Sequence, residues 1–188
     1  MNRTRLGANL RKPGRYPFLP SSRMMPWGLD ALILRRGSLM TNNAEVLSSI
    51  RRIALTAPDA PSLLTEVVKL LQRERPQYHW VGVYLLQGQE LVLGPYEGKP
   101  APHTRIPLNK GICGAAASTG ETIIVDDVNS DPRYLVCSLE TRSEIVVPIR
   151  HEGRILGEID IDRDAPAAFT PDDRELLEAV AGLIAEKI

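Results

Sequence analysis

The chain has 188 residues, 43% hydrophobic and 24% charged, with a formal net charge of zero; this supports one domain with its own core plus an appendage, and is too short for two ordinary domains. No apolar run approaches the roughly 20 residues that cross a bilayer, which excludes a membrane-spanning helix. Two cysteines and three scattered histidines, with no C-x-x-C pair, exclude a zinc-finger type of site and a secreted disulfide framework, so neither metal nor bound cofactor is expected and a reducing, cytoplasmic setting fits.

The neutral total hides two different materials. Residues 1–39 carry Arg3, Arg5, Arg11, Lys12, Arg15, Arg23, Arg35 and Arg36 against Asp30 alone, a net of +7 that leaves −7 for the rest. Pro13, Pro17, Pro20 and Pro26 interrupt this segment and no helical or strand period runs through it, so ordering it would cost more entropy than its burial returns. It reads as an irregular leader ahead of a domain at 40–188. An organelle transit peptide, a basic arm for nucleic acid or anionic lipid, and an inert extension before a true start at Met40 all fit that composition. Trp27 and Leu29 to Leu34 form its one sticky patch.

From Thr41 the pattern changes. Asn42 or Asn43 can cap a helix whose Val46, Leu47, Ile50, Ile53 and Ala54 recur every three or four residues. Asp59, with Pro61 in the first turn, starts a second helix bearing Leu63, Leu64, Val67, Val68, Leu70 and Leu71, and Pro76 stops it. Tyr78 to Gln87, Gly88 and Glu90 to Leu93 read as strand, tight turn and strand. Gly94 to Thr104, with three prolines and two glycines, reads as loop, and Arg105 to Leu108 as a short strand. The small residues of Gly111 to Thr119 suit a short helix lying close to a neighbouring backbone, ended by Gly120. Thr122 to Val125 follows as a strand. Asp126 to Ser138 is turn-rich, with a helical turn expected around Tyr134. Glu144 to Ile149 and Arg154 to Ile161 form a hairpin through Glu152-Gly153. Thr170 caps a last helix that starts at Pro171. Hairpins at both ends imply an antiparallel sheet with the terminal helices on one face, an α+β fold. No dinucleotide fingerprint or phosphate-binding loop occurs.

The chemistry-bearing residues fall mostly between Arg105 and Asp162. Strand alternation puts Glu158, Asp160 and Asp162 on one side and the intervening isoleucines on the other. At about 7 Å spacing the acids repel one another in a dry pocket and require a cation, such as a ligand ammonium group, or a raised pKa; on a solvated face they cost nothing. Glu144 heads the neighbouring strand and can lie beside them. Cys113 opens the short helix, where the helix dipole favours a thiolate, although a small residue chosen for tight packing reads the same way. Cys137, in a loop with Arg133, Ser138 and Arg142, is the better candidate for an accessible thiol. Trp80 and Tyr84 share a face of the first strand and can form either core or an aromatic wall for a cationic head group.

The succession HWVGVYLL, ELVLGPYEGKPA, RIPLNKGICGAAASTGET, Cys137, SEIVVPI and ILGEIDID, over about Ala44 to Ile188, resembles the GAF-domain family of free methionine-R-sulfoxide reductases. The resemblance implies a GAF fold, commonly a homodimer, with a small-molecule substrate and no membrane or nucleic-acid partner. It implies Cys137 as the nucleophile that becomes a sulfenic acid and Cys113 as the resolving thiol. Glu144, Asp160 and Asp162 match the acids that hold the amino group and activate the sulfoxide oxygen, Trp80 with Tyr84 the substrate wall, and thioredoxin is the implied reductant. Three features depart from the family. Its reactive cysteine tends to have Gly-His before it and Asp after it, whereas here Asp131-Pro132-Arg133-Tyr134-Leu135 precedes Cys137 and Ser138 follows. A third cysteine usually stands two residues before Arg-Ile-Pro, where this chain reads Ala101-Pro102-His103-Thr104, and the run Asp131-Pro132-Arg133-Tyr134-Leu135 is more like sensor GAF modules, which keeps a non-catalytic, ligand-binding or redox-sensing module as the alternative.

Overall fold

The computed structural model describes residues 43–188; the basic leader, with its Trp27 and Leu29 to Leu34 patch, and both Met40 and Asn42 lie outside the described residues. Helix α1 covers 43–56. Asn43 is already helical, and its side chain is engaged with the Asp172 carbonyl and the Arg75 guanidinium rather than with its own helix start. Helix α2 (Ala60–Glu74) begins as the sequence dictates, with the Asp59 carboxylate accepting from the Ser62 amide at 2.8 Å.

Six strands follow: β1 (Trp80–Gln87), β2 (Glu90–Glu97), β3 (Arg105–Pro107), β4 (Ile123–Val125), β5 (Ser143–His151) and β6 (Arg154–Arg163). They form one antiparallel sheet in the order β3-β2-β1-β6-β5-β4. Strand β2 continues through Gly94-Pro95-Tyr96-Glu97, where composition alone reads loop. This is possible because β3 pairs only with Glu90 to Val92. Beyond that point β2 is an edge, and an edge tolerates the missing amide of a proline. The β5–β6 turn places Glu152 at φ 49° and Gly153 at φ 79°, the left-handed pair of a tight hairpin turn.

Helices α1, α2 and α4 (Pro171–Ala185) cover one face of the sheet. Val81, Val83, Ile145, Val147, Ile149, Ile159 and Ile161 meet Val46, Ile50, Val67, Leu71, Leu177 and Ile184 there in the main core. Thr170 and Asp173 close a reciprocal capping box at the start of α4. Helix α3 (Gly111–Thr119) lies on the opposite face, packed through Ile112, Cys113, Ala116 and Ala117 beside Trp80, Tyr84 and Val146. The helical turn expected near Tyr134 falls instead at Val128–Ser130, where the Asp127 carboxylate takes the Asn129 amide and the Ser130 hydroxyl. Among the described residues no helix is long and apolar enough to cross a membrane.

Small residues let α3 approach the sheet edge. A Cβ at Gly114 would stand 2.7 Å from the Pro107 carbonyl oxygen and 2.8 Å from that of Leu108, whereas one at Gly182 in α4 would meet nothing within 4 Å. The same substitution therefore carries opposite signs at the two sites. Gly182→Ala is expected to raise stability by about 0.5–1 kcal/mol through helix propensity alone. Gly114→Ala is expected to lower it by about 1–3 kcal/mol, because overpacking against rigid backbone outweighs propensity. Urea midpoints of the two variants decide this, and a stabilised Gly114→Ala would show that α3 is not held against β3.

Candidate functional site

The α3 face of the sheet carries the acids. Ile159 and Ile161 are committed to the main core, so the period of two turns Glu158, Asp160 and Asp162 to the other side. The register sets their neighbours: on β1, Trp80, Gly82 and Tyr84 stand opposite Asp162, Asp160 and Glu158; on β5, Glu144, Val146 and Pro148 stand opposite the same three. All four carboxylates are buried, with Glu158 at 0% and Asp162, the most exposed, at 5% exposure. The solvated alternative for this face is thereby excluded.

Gly82 clears the space above Asp160. Its absent Cβ would lie 2.1 Å from the indole of Trp80, and one at Gly98 would lie 2.7 Å from the same ring's Cδ1. The indole is thus laid across the strand, stacked on Tyr96 at 5.7 Å between centroids, with Nε1 donating to the Lys99 carbonyl at 3.1 Å. The Tyr84 hydroxyl donates to the His103 carbonyl at 2.8 Å. Trp80, Tyr84, Asp160, Asp162 and Cys137 line one small cavity with Lys99, Pro100 and Ala101. Behind this cavity the Cys113 Sγ lies 3.7 Å from Glu144 Oε1 and 3.6 Å from Asp160 Oδ2.

Every site residue expected from the sequence therefore falls in one neighbourhood: five on the cavity wall, with Cys113 and Glu144 beneath it. Two electrostatic expectations are corrected. The position of Cys113 in the first turn of α3 does not favour its thiolate. Burial comes first and the adjoining Asp160, Glu158 and Glu144 second, and together they push its pKa well above the ordinary thiol value. Cys137 is half-buried rather than open, and its thiol contacts the Leu135 carbonyl at 3.2 Å. Burial, then Asp160, Asp162 and Glu144, raise its pKa as well. The arginines that looked able to activate it are engaged elsewhere, Arg133 with Asp131 at 2.6 Å and Arg142 beside Asp127.

The acids respond to the same low dielectric. Burial raises Asp160 to about 7, and burial followed by the charge of Asp160 lifts Glu144, Glu158 and Asp162 well above the carboxylate range. Neither oxygen of Glu158 and only one of the two on Asp160 has a hydrogen-bond partner among the described residues.

The roof of the cavity was not legible in the sequence. Lys99 pairs with Glu140, and His103 Nε2 donates to the Val136 carbonyl at 3.2 Å, so the β2–β3 loop is tied twice to the loop bearing Cys137. These partners come from irregular segments that no period relates. Gly82 did leave a signal, since a glycine inside an apolar strand marks a close approach.

Comparison with known proteins gives a consistent result. The GAF domain profile matches residues 59–188. The free methionine-R-sulfoxide reductase of Saccharomyces cerevisiae is 45% identical over 130 residues, covering 67% of this chain and 70% of that protein. Its namesake in Escherichia coli is 34% identical over 147 residues, covering 76% and 88%. The crystal structure of free methionine-R-sulfoxide reductase from Neisseria meningitidis in complex with its substrate superposes with a TM-score of 0.73 at 36% identity, covering 77% of this chain and 86% of that one. With a GAF profile over most of its length, and with relatives this similar sharing its fold, the chain belongs to the free methionine-R-sulfoxide reductase family of GAF-domain oxidoreductases.

Proposed function

We propose that this protein reduces free L-methionine-R-sulfoxide to methionine, with Cys137 as nucleophile and Cys113 as resolving thiol. The observation that carries the reading is the single cavity in which Cys137, the carboxyls of Asp160 and Asp162 and the Trp80 indole face one another. An α-ammonium group neutralises the buried acids, and the indole supplies an apolar wall for the S-methyl end. Once a cation stands among the carboxylates, the part of the upward shift of Cys137 that comes from Asp160, Asp162 and Glu144 falls away, while the part from burial remains. Substrate binding thus promotes the thiolate that attacks it.

The steps balance as follows. The Cys137 thiolate attacks the sulfoxide sulfur while a protonated carboxyl of the cluster, Asp160 or Glu144, gives its proton to the oxygen. In the adduct so formed the hydroxyl passes to the Cys137 sulfur, the S–O bond and the new S–S bond both break, methionine leaves with an electron pair, and Cys137 holds the oxygen as a sulfenic acid. The Cys113 thiol then displaces water from that sulfur, its proton passing through the carboxyl it touches, and a Cys113–Cys137 disulfide results. A dithiol reductant of the thioredoxin class returns both thiols. With two cysteines in the chain, the resolving role falls to Cys113.

Thioredoxin-coupled NADPH oxidation with the separate R and S epimers tests the reading. Turnover is expected with the R epimer alone, reduced by roughly a thousandfold or more in Cys137→Ser. Turnover that persists in that variant assigns the attack to another group. Asp160→Asn is expected to abolish methionine binding by calorimetry while leaving the circular dichroism spectrum unchanged, and unaltered affinity would remove the acids from the ligand site.

The buried acids also give the stability an unusual pH dependence. Their folded pKa values lie above the unfolded ones of about 4, so the folded state holds more protons, and the stability they contribute is complete below about pH 4 and lost as pH rises through about 7, the value for Asp160. The melting temperature of the ligand-free protein is expected to fall between pH 5.5 and 8.5, with a smaller fall in Asp160→Asn or at saturating methionine. A melting temperature that rises over this interval would contradict the buried cluster.

A further inference from the structure

The Cys113 Sγ and one carboxylate oxygen each of Glu144 and Asp160 lie within 4.8 Å of one another, and all three residues are buried. The two sulfur–oxygen separations, 3.7 and 3.6 Å, are those of weak thiol hydrogen bonds, yet a thiol has only one proton to share between two carboxyls. They also match another geometry. With zinc–sulfur bonds of about 2.3 Å and zinc–oxygen bonds of about 2.0–2.2 Å at a tetrahedral centre, the sulfur–oxygen edge is about 3.5–3.7 Å.

A second observation points to the same place. Glu158 is on the same face of β6 as Asp160, has no exposed surface, and has no partner for either oxygen; Asp160 Oδ1 is likewise without one. Unpartnered buried carboxyls cost free energy, and a cation beside Asp160 would satisfy them. We propose that Cys113, Glu144 and Asp160 form a binding site for a zinc-class divalent cation, with the fourth position taken by water or by Glu158. A thiolate with two carboxylates suits zinc, cobalt or cadmium and disfavours magnesium and calcium. No spacing motif announces it, since the three ligands come from α3, β5 and β6.

Binding breaks the Cys113 S–H bond, forms a sulfur–metal bond and releases protons to solvent, with no change of oxidation state. The bound ion occupies Cys113 and Asp160 together. It therefore blocks one thiol of the pair and excludes any ammonium group from the same carboxylate, a reversible arrest of the site. The inference depends on the three ligands alone and not on which sulfoxide the protein reduces.

Cobalt(II) titration of the reduced, full-length protein provides the test, read by thiolate-to-cobalt charge-transfer absorption and by displacement with zinc. One equivalent is expected to bind. The band is expected to disappear in Cys113→Ser, to persist in Cys137→Ser, and to need roughly tenfold or more cobalt in Asp160→Asn. Absence of the band in the wild-type protein overturns the proposal, as does a band that survives Cys113→Ser or is lost in Cys137→Ser. Should Cys113→Ser fail to fold, zinc-edge X-ray absorption of zinc-loaded Cys137→Ser decides: one sulfur at about 2.3 Å is expected, and a shell of oxygen and nitrogen alone rejects the site.

Discussion

Four carboxylates buried on one face of two neighbouring strands are the constraint on which the rest of the site depends. Two charges about 7 Å apart repel by about 2 kcal/mol at an effective dielectric near 20, and the desolvation of each adds to that. Glu144, Glu158, Asp160 and Asp162 could not remain there on their own merits. The opposite face of the same strands holds Ile145, Val147, Ile159 and Ile161 in the main core. Register shifts by one residue would exchange the acids for the isoleucines, so the hydrophobic face fixes the unfavourable one. The fold thus stores a deficit that a cation can relieve.

The two thiols are governed by that deficit. In the empty site burial first and the neighbouring acids second hold Cys113 and Cys137 protonated. On the proposed mechanism this is protective, because a thiolate in an empty cavity would be open to oxidation without a substrate present. The same buried cluster favours ligands that bring a positive charge. Neutral sulfoxides of similar size would bring no charge to offset the burial of the acids.

The sequence was most legible where one local rule acts alone. Strand alternation located the β6 acids, Asp59 and Thr170 located two helix starts, and the small residues around Gly114 indicated that α3 lies close to another backbone. It was least legible where competing terms had to be weighed. First-turn position in α3 argued for a reactive Cys113, but a helix dipole contributes on the order of 1 kcal/mol, and complete burial beside three carboxyls outweighs it. Whether the acid face was wet or dry depended on α3 and on the β2–β3 loop, which no period in β6 could reveal. Pro95 argued for a loop until the short reach of β3 left that part of β2 unpaired on one side.

The floor and the roof of the cavity differ in kind, and this difference shapes how the site can work. The floor consists of β1, β5 and β6, the central strands of the sheet, backed by the main core. The roof consists of two irregular loops joined by Lys99 with Glu140 and by His103 with the Val136 carbonyl. Lys99 and Glu140 are more than half exposed, and such an ion pair contributes at most about 1 kcal/mol. The acids are thus held rigidly while the segment carrying Cys137 is held weakly. On the proposed mechanism the nucleophile must first face a ligand and later form a bond with Cys113, and a fixed floor of charges beneath a loosely tied loop suits both steps.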